Sequence, residues 1–265
     1  MKITTLLNKS LKTGTLSMVF PIFLMAEVHA SAEDVHKIID ICTSSELIMK
    51  DYALIGMKIT YHDPKKDLDQ TVKRLDKEME ELKAHKLTDT LHKEEEALHA
   101  EWLKIEENLT HDPSKESALT LYHYVNTFAA HCEVLAEHLA QDTGNPAEHF
   151  VVLIAQLNLD VQELAAVYTM KAWGAIEDKD YYPEAKHIIE DYNKTYNELI
   201  GADTKMVSDK VKGKLKTLKK HFMLFEHMAQ SKSGRFVPLL MAKKAEKIDH
   251  ETEEILKLEE AEVEK

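Results

Sequence analysis

Arginine is nearly missing from this 265-residue chain: Arg74 and Arg235 are the only two. Oxyanions are commonly held by guanidinium forks, and there is almost nothing here to build one from. The formal charge of −13 also excludes nucleic acid and anionic lipid as partners, because both require clustered basic residues. Cysteine is as scarce. Cys42 and Cys132 show no CxxC, CxxCH or Cys/His finger spacing, which leaves haem attachment and the usual structural zinc sites unsupported. Seven glycines and six prolines provide no phosphate-cradling loop, and no Ser/His/Asp or Cys/His arrangement is recognisable. No enzyme and no cofactor are expected. Strand-like alternation is absent as well.

What the chain does have is helical rhythm. Apolar residues step by four and three: Leu91, Leu98, Trp102 and Ile105 in one stretch, then Leu121, Val125, Phe128, Cys132, Leu135 and Leu139. The pattern recurs at Phe150, Ile154, Leu157, Val161, Leu164 and Tyr168, and again at Val211, Leu215, Leu218, Phe222 and Phe225. This is the signature of antiparallel bundles with small crossing angles. Pro and Gly punctuate it at Pro64, Pro113, Gly144 to Pro146, Pro183, Gly201 and Gly234 to Pro238. Eight helices are predicted, over 33–61, 66–85, 89–109, 115–141, 146–178, 184–200, 204–231 and 236–262. The expected fold is all-α, two tandem antiparallel four-helix bundles spanning 33–141 and 146–262.

Residues 1–32 stand apart. Lys2, Lys9 and Lys12 precede an apolar run from Thr15 to Ala26, and Ala30-Ser31-Ala32 is a small-x-small cleavage site. The segment reads as a signal peptide, cut after Ala32 or Ala30, and predicts a periplasmic protein. Removing it deletes three lysines and one glutamate, so the mature chain is still more acidic. No later stretch is expected to cross a membrane.

The two predicted bundles are copies of one another. Glu46 to Leu82 aligns with Glu163 to Leu199 at a constant offset of 117, with identities at Glu46/Glu163, Leu47/Leu164, Ile59/Ile176, Asp63/Asp180, Lys77/Lys194, Glu81/Glu198 and Leu82/Leu199. The apolar rhythm Leu68, Val72, Leu75, Met79, Leu82 matches Ala185, Ile189, Tyr192, Tyr196, Leu199 position for position. Two copies of one helical module are therefore predicted. Within the first, Cys42 and Cys132 lie equally far from the shared end of the first and fourth helices, at a height of roughly 13 Å. Both fall on apolar stripes, which leaves open a disulfide or two buried free thiols.

The stretches KDYALIGMKITYHDPKK (Lys50–Lys66) and VYTMKAWG (Val167–Gly174) resemble the sensor module of PilJ-type pilus chemotaxis transducers and NarX-like nitrate sensor kinases. The resemblance covers nearly all of the chain after residue 32. It implies an extracytoplasmic four-helix domain whose first helix bears a ligand motif similar to RMLSQR, with arginines that bind an anion between facing first helices. Here the motif positions read Cys42-Thr43-Ser44-Ser45-Glu46-Leu47 and Asn158-Leu159-Asp160-Val161-Gln162-Glu163, with no arginine in either copy. The departure implies a neutral, cationic or peptide-like small molecule in place of nitrate. Carried over, the ligand site falls between the first and fifth helices, near Ser45, Glu46, Tyr52, Asn158, Gln162 and Tyr168. The two modules are expected to pair as an internal pseudo-dimer. Without the family's membrane helices and kinase or methyl-accepting region, a stand-alone protein docking on a membrane-bound sensor or transducer is expected.

Fifteen histidines suggest an alternative function, a periplasmic metal carrier. His85, His92 and His99 recur every seven residues, and a shared ion needs i, i+3 or i, i+4 ligands. His92, Glu95, Glu96 and His99 are the candidate ligands. Glu96-x-x-His99 and Glu184-x-x-His187 echo half of a di-iron pattern.

Overall fold

The computed structural model describes residues 30–60, 63–84 and 87–263. The apolar run of the predicted signal peptide and His85 lie outside the described residues. Among those described, the chain is all-α, with eight helices: α1 (Ala32–Gly56), α2 (Pro64–Lys83), α3 (Asp89–Leu109), α4 (Lys115–Asp142), α5 (Glu148–Trp173), α6 (Asp178–Gly201), α7 (Asp209–Gln230) and α8 (Pro238–Val263).

Local chemistry sets the helix ends. Ser31 and Ser114 form capping boxes with Asp34 and Ser117, and Thr88 and Ser208 cap α3 and α7. Helix α1 ends at Gly56, earlier than the rhythm predicts, because Lys58 and Asp63 adopt positive φ on the way to Pro64. Helix α5 likewise stops before Gly174, whose φ of 76° takes the left-handed conformation glycine tolerates. Pro183 does not break the chain as predicted. Helix α6 begins at Asp178 and carries Pro183 in its second turn, where the ring removes the bond an N–H would give to the Lys179 carbonyl and the helix continues without it.

Packing closes α1 through α4 into one ring and α5 through α8 into another. Within each ring, neighbours run antiparallel. Ala30 N donates to Asp142 and Tyr52 pairs with Ser117 at opposite ends of α1 and α4. Asn158 donates to Asp249, and Val237 N to Tyr168 Oη, along α5 and α8. The rings meet chiefly through α1 and α5, which lie side by side and parallel. Ile39, Cys42 and Thr43 face Val152, Ala155, Gln156 and Leu159. At the far end, Gly56 abuts Trp173 so closely that a Cβ there would lie 2.2 Å from the indole. Gly56 and Trp173 are equivalent positions of the repeat.

The expectation that nothing after the first segment is apolar enough to span a bilayer is corrected by α5. By length and composition it passes that test, and its apolarity has another cause. It is the central helix of the molecule, touched by α1, α4, α6 and α8, and 78% of its most apolar window is buried.

The cores are filled by Leu98, Trp102, Ile105, Leu121 and Phe128 on one side. Tyr181, Tyr192, Phe222 and Phe225 fill the other, with Tyr192 and Phe222 stacked at 3.5 Å and 7°. Trp102 Nε1 donates to Asp76 at 2.9 Å, so its polar edge is satisfied. Cys42 and Cys132 meet as hydrogen-bond partners, buried and unbonded. Equal height and shared face thus bring the two sulfurs together, and the structure holds them as free thiols.

Candidate functional site: an acidic cleft beside the central helix pair

The six residues expected at the seam are all buried. Asn158 and Gln162 bond to each other, and each also reaches α8, Asn158 through Asp249 and Gln162 through the Ala245 carbonyl. The other polar groups turn elsewhere. Ser45 Oγ donates to the Cys42 carbonyl, Tyr52 pairs with Ser117, and Tyr168 accepts from Val237 N. Glu46 Oε2 has no hydrogen-bond partner, and burial, reinforced by the Glu163 charge, pushes its carboxyl well above the usual range.

Immediately beside this seam, α4, α5 and α6 enclose a cleft of about 500 Å³. Helical spacing assembles it. Asn126, Ala129, Ala130 and Glu133 form one face of α4, and Gln156, Leu159, Asp160 and Glu163 one face of α5. Glu184, His187, Ile188, Asp191 and Thr195 form one face of α6. Five carboxylates line the cleft, against one lysine, Lys194, and one histidine, His187.

Gln156 organises part of this acidity, its Nε2 donating to Glu133 at 3.1 Å and to Asp160 at 3.0 Å. Tyr122 Oη donates to Glu184 at 3.0 Å, and His187 pairs with Asp191 at 3.3 Å. Asp160 is only 3% exposed, and its Oδ2 has no partner. Burial first, then the neighbouring carboxylates Glu184, Glu133 and Asp191, push Glu163 up to about 8. Burial and neighbouring carboxylates raise Asp160 and Glu133 as well, against the hydrogen bond each accepts from Gln156.

The corresponding positions on the opposite side of the seam, on α1, α2 and α8, are wired differently. Arg74 of α2 donates to Ser44 at 2.7 Å, approaches Glu78 at 3.9 Å and counteracts the burial of Asp40 and Asp249. Buried Lys50 also lowers Asp249. At the offset of 117, the counterpart of Arg74 is Asp191.

Of the proposed metal ligands, His92 lies 3.2 Å from Glu95 and 3.8 Å from Glu96, whereas His99 turns to Glu80 at 3.8 Å. Among the described residues no three His, Cys, Asp or Glu side chains converge on a point able to hold a metal ion. Sequence reasoning singled out neither Glu133 nor Asp191 for the site. The available signal was Asp160 and Glu163, two carboxylates inside the most apolar helix of the fold. Comparison of the chain with known protein families, with curated proteins and with solved structures found no match.

Proposed function

We propose that this protein is an exported, sensor-like helical module that binds a small ligand beside the α1/α5 seam and relays occupancy to a membrane-bound signalling partner, without catalysing a reaction. The observation that carries the reading is the α4/α5/α6 cleft. It has the volume of a small-molecule site, and it contains a buried polar atom with no partner. Its floor is α5, which also forms the seam with α1, so a ligand contacting Asp160 or Glu163 touches the helix through which the second ring meets the first. The resemblance to PilJ-type and NarX-like modules supports signalling as the purpose of such binding.

Export to the periplasm is part of this reading. Cleavage after Ala30 keeps Ser31, the residue that caps α1, whereas cleavage after Ala32 removes it. A thermal-shift screen of the purified protein against small metabolites, nitrate, nitrite and divalent metals tests the ligand, because binding to the folded state raises the melting temperature. One compound should shift it, and substitution of Asp160 should abolish that shift. Silence across the panel, together with no partner captured by crosslinking in intact periplasm, counts against the reading.

A further inference from the structure

The repeat places equivalent helices on both sides of the α1/α5 seam, and on each side partial or full burial weighs on carboxylates. Such groups are tolerated when a cation or hydrogen bonds compensate them. The α1/α2/α8 groove has its cation built in as Arg74, which lies among Ser44, Asp40, Glu78 and Asp249. The α4/α5/α6 cleft has Asp191 at that same repeat position and gains a negative charge where its twin has a positive one. It also leaves Asp160 Oδ2 buried and unpartnered. The α1/α2/α8 side thus sets Arg74 among its carboxylates, whereas the cleft sets only Lys194 and His187, the latter paired with Asp191, against five.

We infer that the cleft is the receptor for an aliphatic organic cation with two or more ammonium groups, of the diamine and polyamine class. The inference rests on the ligand-binding reading above and gives that site its ligand chemistry. Three features select this class over other cations. The carboxylates are spread over three helices, and among the described residues no three converge on one point, which suits separated charges and not a single metal ion. Leu159, Ile188 and Ala129 lie between them and offer apolar wall to a methylene chain. No Phe, Tyr or Trp lines the cleft, which removes the aromatic cage a quaternary ammonium needs. Carboxylates that only accept hydrogen bonds are matched by ammonium groups that only donate them. A bound cation also favours the ionised form of Glu163, whose carboxyl stays largely protonated near neutral pH in the empty cleft, so binding expels protons.

Isothermal titration of the purified protein with spermidine and putrescine tests this, with Mg²⁺ and tetramethylammonium as controls. Spermidine should bind at one site with a heat that depends on the ionisation enthalpy of the buffer, and neither control should compete. Asp160→Asn with Glu163→Gln should weaken binding at least tenfold while the circular dichroism stays helical. Asp191→Arg, which gives the cleft the cation of its twin, should abolish binding in a protein that still folds. The inference is overturned if neither amine binds, or if spermidine binds Asp191→Arg and the double variant as tightly as the original. A neutral or peptide ligand whose binding is lost in the same variants overturns the amine assignment but leaves the ligand-binding reading standing. A cleft that takes nothing from the full panel removes both.

Discussion

On one side of the α1/α5 seam, Arg74 reaches Ser44 and sits among Asp40, Glu78 and Asp249. On the other, Asp191 stands at the same repeat position, and burial with neighbouring carboxylates raises Glu133, Asp160 and Glu163. The helices correspond at an offset of 117, but their charges differ at several positions: Arg74 against Asp191, Thr43 against Asp160 and Glu78 against Thr195. A duplicated module can keep its packing in both copies while one copy closes its groove internally and the other stays open. Packing depends on the apolar rhythm both copies share, whereas a groove's charge is set by a few residues outside that rhythm.

The comparison can be broken outright at the seam. Gly56→Leu drives a side chain into the Trp173 indole, and the expected cost is about 3 kcal/mol by the usual penalty for overpacking. Chemical denaturation should register it, and a companion Trp173→Ala should recover part of the loss. An unchanged midpoint for Gly56→Leu would mean that α1 and α5 are not pressed together there. A smaller effect is expected from Arg74→Asp, which turns the self-neutralised groove into a likeness of the open one. The side chain is 51% exposed, so the figure for a buried pair is discounted to about 2 kcal/mol. A variant as stable as the original would deprive Arg74 of the compensating role assigned to it.

Next in size is a pH effect that belongs to the open cleft. Glu163 rises from 4.5 to about 8, so between these values the folded state holds a proton that the unfolded chain has released. Its contribution is therefore most favourable below about 4.5 and is lost as pH rises to about 8. Glu46 on α1, Tyr122 and Glu133 from α4, Asp160 on α5, and Glu184 and Asp191 from α6 are the groups that face it, with His187 and Lys194 at the cleft wall. Glu163→Gln should flatten the fall in stability over this range by at least ~1.4 kcal/mol, the equivalent of one pK unit. An identical profile in the variant would place the titrating group elsewhere. The smallest expected effect concerns the thiols. Burial pushes both Cys42 and Cys132 up, so neither should react with a thiol reagent until the protein unfolds. Rapid labelling of the folded protein would show that the first ring opens readily.

The fold was largely legible before any coordinates. The 4-3-4-3 spacing in the stretches that became α3, α4, α5 and α7 is periodic over many residues, and local caps end several helices where Ser and Thr stand. The misplaced boundaries have physical causes. Positive φ at Lys58 and Asp63 cannot be read from residue type alone, and Pro183 signals a break even where the first turns of a helix can hold it. The site was legible only in fragments. Ser45, Glu46, Tyr52, Asn158, Gln162 and Tyr168 came from the family resemblance, and the structure commits most of their polar groups to bonds within the packing. Asp160 and Glu163 were visible as carboxylates in an apolar helix and Glu184 only as half of a di-iron pattern, but Glu133 and Asp191 carry no signal separating them from solvated acids.

By itself the sequence determined the helices and their apolar faces, because each follows from spacing along one chain. The tertiary structure alone decided that α1 and α5 lie parallel at the centre and that five carboxylates from three helices share one cleft. These depend on which faces meet across distant parts of the chain. Periodicity says that a face is buried, and only packing says against what.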